Sequence, residues 1–335
     1  MNNLYKTHNF RNDIFQYADK NSKHISNFKR KLKNKDYSIS EYSCTICNTS
    51  DFTTVAEADE GFKWGICKSC GLLQIFHRLG KNNINEFYTS GEYQAICMGN
   101  LDDKTHFALE YEIMSLYFID ILNNLDLEAN ETNILEIGCG SGGILKAFKE
   151  WGANSVKGYD IDSQKINYGK SFVEEIEFAD ALELDNKIFS QYNIILLSNI
   201  LEHLNDPTIF LNNLSKRLEI NNNYIIIDIP NLEYMYSYSD ISLQKFFHIG
   251  HLWYFNPITI EKLINKVGFR IKQIIIKGAA FSIVCKKDSN SEIINTNNSY
   301  WNTISSIQYT NFLNDKNNIL NIAQEKYAKV SQKYL

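Results

Sequence analysis

The apolar residues of this chain change rhythm along its length. Between 105 and 125, Phe107, Tyr111, Met114, Phe118, Ile121, Leu122 and Leu125 recur at helical spacing and predict a helix. From residue 133, short apolar runs alternate with helical patterns. The runs NILEI (133–137), SVKGYD (155–160), IEFA (176–179), YNIILL (192–197) and YIIIDI (224–229) predict strands. Asp206-Pro207 and Asn256-Pro257 each place an N-cap before a proline at the first helical position, and Gly268 closes the helix PITIEKLINKV. RIKQIIIK (270–277) and FSIVCKK (281–287) are joined by GAA, a link too short for a crossover, so they must pair antiparallel. Strands alternating with helices predict an α/β fold, a mainly parallel sheet covered on both faces.

Upstream the pattern is different. FTTVAEA (52–58), FKWGI (62–66) and GLLQIF (71–76) predict three short strands of a ribbon. Cys44 and Cys47 precede them in CTIC, and Cys67 and Cys70 interrupt them in CKSC, with residues 48–66 between. Two Cys-x-x-Cys knuckles at this separation point four thiolates at one centre and predict a structural zinc site. Four protein ligands leave no position open for a substrate. Cys97, Cys139 and Cys285 read as small apolar fillers. The chain divides into a polar, basic N-terminal arm (1–40), the ribbon (41–80), an aromatic connector or lid (81–104), the α/β domain (105–287), and a linker with a helical tail (288–335). In the connector, NEFYTSGEYQAI offers Tyr88 and Tyr93 as residues that close over a ligand or simply pack.

Charge narrows the function. The net charge is −5, yet residues 1–40 alone carry +6, leaving −11 for the rest. An acidic body lacks the basic footprint of a nucleic-acid-binding domain, so DNA is excluded as a partner and RNA disfavoured. The basic stretch FKRKLKNK (28–35) reads as a solvated helix or a loose end rather than a membrane contact. No run approaches the roughly 18 apolar residues of a membrane span. MNNLYKTHNF lacks the layout of a secretory signal. The expected compartment is therefore the cytoplasm, where thiols stay reduced.

The stretch NILEIGCGSGGILKAF (133–148) carries the chemistry. Gly138, Gly140 and Gly143 fit a dinucleotide loop, while Gly138, Gly140 and Gly142 fit a sulfonium-binding one. Both ligands use a glycine turn at a helix N-terminus, and Asp160 stands where either would present a ribose. Glu136 discriminates. A carboxylate at the end of the first strand repels a pyrophosphate and suits a ligand carrying a sulfonium and an ammonium. Asp180, beyond the third strand, can accept a bond from an adenine amine.

ILEIGCGSG, VKGYDID, FADA, YNIILLSNILEHLNDP and HLWYFNPITIEKLINKVGF together resemble the successive motifs of class I S-adenosylmethionine-dependent methyltransferases, over roughly residues 41–286. With the preceding cysteine pairs, the layout resembles the branch with an N-terminal zinc ribbon, which includes the deoxysugar C-methyltransferases acting on nucleotide-linked sugars. The resemblance implies a Rossmann-like seven-stranded sheet with an antiparallel last strand and S-adenosylmethionine as cofactor. It places Asp160 at the ribose, with Ile161 beside it, and Gly138, Cys139, Gly140 and Gly142 at the methionine part. Asp180 and Ala181 fall at the adenine, and Asn199 in the methyl-donor pocket.

His203, His248 and His251 fall near the carboxyl ends of the strands, with His251 the expected base or substrate orienter. The sugar C-methyltransferases carry a Tyr-His-Glu-His-Leu run here. This chain keeps the second histidine as His251 and has His248, Ile249 and Gly250 in place of the first three residues, which argues against their C-methylation machinery. NILEH resembles the Glu-x-x-Glu-His metal motif of the ubiquinone-pathway O-methyltransferases, but Asn199 replaces its first glutamate, which argues against a catalytic metal. The expected function is methylation of a small molecule, a nucleotide-linked sugar destined for a surface polysaccharide or glycoside. The alternatives are O- or N-methylation of another metabolite, RNA modification with the ribbon as the RNA-binding part, and a cofactor-binding partner protein without turnover. Against RNA modification, LLSNILEH lacks the Asn/Asp-Pro-Pro-aromatic motif of base-amine methylases and the Pro-Cys of the cytosine C5 enzymes.

Overall fold

The computed structural model describes residues 10–12, 14–15, 22–98, 102–125, 127–180, 183–219, 223–233, 247–277 and 280–288. The tail expected over 288–335 lies outside them but for Asp288, as do residues 1–9 of the arm and Ala181.

The N-terminal half is built on one sheet. β1 (Phe10–Asn12) pairs in parallel with β3 (Phe52–Ala58), β3 antiparallel with β4 (Lys63–Cys67), and β4 antiparallel with β5 (Leu73–Leu79). β2 (Ile39–Glu41) also pairs with β5. Of the expected solvated helix or loose end over 28–35, a helix forms with Lys29, Arg30 and Lys33 exposed, but its other face is buried. β1 extends the ribbon sheet, and α1 (Lys23–Asn34), capped by the Ser22 side chain, buries Ile25, Phe28 and Lys31. A buried lysine needs partners. Lys31 Nζ finds them in Glu86 at 2.6 Å and the fully buried Glu92 at 2.8 Å.

The connector is helical. α2 (Lys81–Thr89) turns Ile84 and Phe87 inward, and a π-helical turn covers Gln94–Met98. The single helix expected over 105–125 is three pieces of one rod: α3 (Asp103–Leu109), a π-helical turn (Glu110–Met114) and α4 (Ser115–Asn123). The wider turn carries Glu110, a carboxylate on an otherwise apolar face.

The C-terminal half alternates strand and helix as expected: β6 (Asn133–Ile137), α5 (Gly143–Trp151), β7 (Ser155–Asp160), α6 (Ser163–Gly169), β8 (Ile176–Phe178), α7 (Asn186–Phe189), β9 (Ile194–Ser198), α8 (Pro207–Arg217) and β10 (Tyr224–Pro230). A two-residue strand β11 (Trp253–Tyr254), α9 (Pro257–Lys266), β12 (Phe269–Ile276) and β13 (Ala280–Lys287) complete it. Asp206 and Asn256 cap α8 and α9 through their side chains, each ahead of a proline in the first turn. The sheet order is β12-β13-β10-β9-β6-β7-β8, with β13 antiparallel to both of its neighbours. This is the expected Rossmann-like seven-stranded arrangement. The central strand β9 is buried throughout, and each of its fully buried Ile or Leu side chains contributes about 1.5–3 kcal/mol.

β11 does not join that sheet. It pairs with β5, Trp253 opposite Gln74 and Tyr254 opposite Leu73, so a segment of the C-terminal half completes the ribbon sheet. The ribbon is thereby not a separate module. Lys262 Nζ reaches the Cys70 carbonyl at 3.2 Å, and Lys266 Nζ the Ile46 carbonyl at 2.6 Å. Arg78, buried, lies between the rings of Tyr42 and Trp253 and donates to the Asn205 carbonyl at 2.9 Å. Among the described residues no helix is long and apolar enough to cross a membrane.

Candidate active site

β6 ends at Ile137, and the chain turns through 138–142 into α5. Gly138, Gly140 and Gly142 have φ of 73°, 54° and 78°, the left-handed region that other residues adopt at a cost. A Cβ at Gly138 would lie 1.9 Å from Ile200 Cδ1, so with its φ of 73° a side chain here would be strained and would also displace Ile200. The amides of Gly138 and Cys139 donate to the Tyr159 carbonyl at 2.7 and 3.1 Å, tying the loop to β7. The buried Cys139 side chain lies against Gly158 of that strand.

Three carboxyl groups meet at this loop. Asp160, at the end of β7, accepts from the Gly140 amide through Oδ2 at 2.8 Å and from the Asp162 amide through Oδ1 at 2.7 Å. Burial pushes its carboxyl above the ordinary aspartate range, against the pull of these amides. Glu110 accepts from the Gly143 amide at 3.2 Å through Oε2, while its Oε1 lies 3.1 Å from His106 Nδ1. Glu136 is 1% exposed and its Oε2 has no partner. Burial first, then the charges of Glu110 and Asp160, pushes its carboxyl well above the glutamate range. An orphaned carboxylate oxygen at a helix N-terminus with two further acids fits a ligand that brings positive charge and N–H donors. A pyrophosphate would be repelled. The residues present thus fit S-adenosylmethionine, whose ammonium and sulfonium supply that charge.

The remaining expected cofactor residues that the structure describes follow the ends of neighbouring strands. Ile161 follows Asp160 and is half-buried. Asp180 follows β8, whose exit is tied to β7 by the Ala179 amide on the Asp160 carbonyl at 3.0 Å. Asn199 leaves β9 with φ of 52°, its amide bonded to the Asp228 carbonyl at 2.9 Å. A non-glycine residue held in that region stores strain of the kind found at ligand sites.

One residue beyond Asn199, Ile200 packs on Gly138, and three residues further the same loop enters a cluster of tyrosine and histidine rings. His203 Nδ1 lies 2.7 Å from the Gly250 carbonyl, and the Tyr88 hydroxyl donates to that carbonyl at 2.9 Å. A carbonyl only accepts, so Nδ1 of His203 carries the proton and Nε2 the lone pair. The rings of Tyr88 and Tyr93 stand edge-on to His203 at 6.0 and 5.6 Å, and His251 lies 4.9 Å from His203 and 3.9 Å from His248. A Cβ at Gly250 would meet Tyr93 at 2.6 Å, so this position admits no side chain. Burial holds all three histidines neutral, pushing His203 down to about 4 and His248 to about 3. His251 falls well below the usual range through burial and the two neighbouring rings.

The three histidines expected from sequence are therefore neighbours in space. Sequence reasoning did not single out Glu110, beside the glycine loop, and met Glu202 only as the second glutamate of NILEH, a metal motif it set aside because Asn199 replaces the first. Glu202 is 1% exposed, neither carboxylate oxygen has a partner in another residue, and burial pushes it up to about 8. It lies in an irregular turn, where no periodicity marks it. Glu110 was legible: it falls between Phe107 and Met114 on the apolar face of the helix, where a charge stands out.

The two knuckles are built alike. The Asn48 amide donates to the Cys44 carbonyl at 2.8 Å and the Gly71 amide to the Cys67 carbonyl at 2.9 Å, with φ of 59° and 81° at Asn48 and Gly71. Sγ of Cys44 and Cys70, and of Cys47 and Cys67, are 3.4 Å apart, and all four sulfurs lie within 4.8 Å of one another as free thiols. Tetrahedral ligands about 2.3 Å from zinc would be about 3.8 Å apart. The donor set and spacing fit that ion.

Comparison with known proteins bears on the C-terminal half. A family model described as a methyltransferase domain matches residues 109–274. A ribosomal protein L11 methyltransferase from a Shewanella species is 39% identical over 66 residues, 20% of this chain, and the match spans only 22% of that enzyme. Among solved structures, magnesium protoporphyrin IX methyltransferase from Synechocystis, with bound SAH, aligns over 62% of this chain and 100% of its own, at 14% identity and a TM-score of 0.45. A SAM-dependent methyltransferase from Archaeoglobus fulgidus aligns over 56% of this chain and 100% of its own, at 18% identity and a TM-score of 0.41. The family match falls on the glycine loop and the sheet from β6 into β12, leaving β13 outside it. Residues 109–274 are a class I S-adenosylmethionine-dependent methyltransferase domain.

Proposed function

We propose that this methyltransferase acts on a small polyhydroxylated molecule, a nucleotide-linked sugar, in the cytoplasm, with zinc in its ribbon as a structural ion. The observation that carries the reading is the loop leaving β9. Ile200 packs on Gly138 of the cofactor loop, and His203, three residues on, lies among the tyrosine and histidine rings. One short segment thus ties donor site to acceptor site.

When bound, S-adenosylmethionine supplies a methyl carbon already activated by its sulfonium. Asp160 offers two oxygens, each with a lone pair left after its amide bond, to vicinal ribose hydroxyls. Glu136 and Glu110 face the cationic end, and Asp180 the adenine. The acceptor must be aligned and relieved of a proton. Neutral His251 and His203 can take one, and His203 is fixed in its tautomer by Gly250. Tyr88, Tyr93 and Glu202 stand around them, bringing from other segments the tyrosine and glutamate that residues 248–250 lack. This supports a sugar-type acceptor. The acidic body supports it against RNA.

Incubating the full chain with methyl-labelled cofactor and a panel of nucleotide sugars, other hydroxylated and amino metabolites, and tRNA tests the proposal. Label is expected on a nucleotide sugar, and lost with His251→Ala. Label on RNA alone overturns the reading.

A further inference from the structure

We propose that Glu202, His203 and His251 bind one divalent transition-metal ion at the floor of the acceptor pocket, separate from the four-thiol cluster. The carboxylate oxygens and ring nitrogens these residues offer lie within 4.8 Å of one another. Glu202 is 1% exposed with both oxygens lacking a partner in another residue, an expensive state for a carboxylate unless something occupies the space before it.

His203, the histidine next to Glu202, does not donate to it. His203 has its proton on Nδ1, committed to the Gly250 carbonyl at 2.7 Å, so Nε2 presents a lone pair. That nitrogen lies 3.8 Å from Glu202 Oε1. A cation seated between the ionised carboxylate and this nitrogen would satisfy both lone pairs at once. An imidazole tied through Nδ1–H to a backbone carbonyl is also the arrangement that stands behind metal-bound histidines, where it fixes tautomer and ring orientation.

The spacing agrees. Ligands about 2.1 Å from one ion can be at most about 4.2 Å apart, so Glu202 and His203 already comply. His251, within 4.8 Å of both, needs less than about an ångström of movement. Its backbone is positioned from outside the pocket, because β11 begins two residues later and is fixed to the ribbon through β5. Two imidazoles and one carboxylate favour zinc, iron(II), manganese(II) or cobalt(II) over magnesium or calcium. Three protein ligands leave positions open toward the space edged by Tyr88 and Tyr93.

The guest at those positions rests on the methyl-transfer reading; the ion site does not. For a sugar, it is a pair of adjacent oxygens, a vicinal diol or a hydroxy-ketone, chelated and held against the donor. With the ion bound, the lone pairs of His203 and His251 would be taken up by it, so the ion rather than a histidine would activate the acceptor: it would lower the pKa of the bound hydroxyl, and the proton would pass to solvent.

Manganese(II) is the probe, since its paramagnetic signal reports ligands and thiolate clusters bind it poorly. Full-length protein, treated with EDTA and then titrated with manganese(II) at neutral pH, is expected to bind about one ion per chain. Electron-spin-echo modulation should show imidazole nitrogen. Glu202→Gln and His251→Gln should each weaken binding about a hundredfold, and His251→Gln should reduce the nitrogen modulation. Calorimetric S-adenosylmethionine binding in the same samples certifies the fold of both variants. Wild-type protein that binds S-adenosylmethionine but neither manganese(II) nor cobalt(II) overturns the site. So does binding undiminished in both variants. Ion binding without S-adenosylmethionine binding would instead sink the methyltransferase reading and leave the ion site standing.

Discussion

Glu136 sits on a strand of the central sheet, 1% exposed, with one oxygen unpaired. Its folded pKa is raised well above 4.5 by burial and by Glu110 and Asp160. A group whose pKa is raised by folding contributes its full stability below the unfolded value and loses it as pH rises through the folded value. The cofactor-free protein is therefore expected to lose stability as pH climbs above about 4.5, and Glu136→Gln to flatten that decline. A cationic ligand prefers the ionised carboxylate, so S-adenosylmethionine affinity should rise with pH over the same window in wild type and less steeply in the variant. Denaturant melts and calorimetry across pH check both slopes. The carboxylate of Glu136 was legible in the sequence because an acid at a strand end beside a glycine turn is chemically conspicuous. Glu202 was visible only as a motif position in NILEH, and its proximity to His251, 49 positions away, is something only the fold brings about.

At the scale of elements, β11 decides the most and was the least readable. Two residues long, it has no period of its own and exists as a strand only because β5 offers an edge. Its consequence is mechanical. The ribbon cluster fixes β4 and β5, β5 holds β11, and His248 and His251 precede β11 directly. Cys67→Ser with Cys70→Ser should remove about one zinc per chain and speed amide exchange over 247–255, with exchange of 136–143 unchanged, as read by hydrogen-exchange mass spectrometry. Equal loosening of both segments would argue that the ribbon supports the whole chain rather than the histidine loop. The π-helical turn at Glu110–Met114 was likewise beyond sequence reach, because one extra residue per turn leaves the apolar spacing nearly unchanged.

For the whole molecule, the strand–helix alternation after residue 133 carried the C-terminal fold, its strand ends moving by no more than about three residues. Each strand there is apolar enough to declare itself. The relation between the halves did not show in the sequence. Arg78 between Tyr42 and Trp253, and Lys266 on the Ile46 carbonyl, are contacts of large sequence separation that no local pattern encodes. They bring the ribbon sheet against the segment that carries His248 and His251, while the cofactor loop meets the β9 exit at Ile200.

The central claim is that this loop binds a cationic methyl donor. Calorimetric titration of the full chain with S-adenosylmethionine, alone and in the presence of NAD, tests it most directly. The account predicts saturable binding that NAD does not displace and that Asp160→Ala weakens at least about tenfold. Tight NAD binding, or S-adenosylmethionine binding indifferent to Asp160, would contradict it.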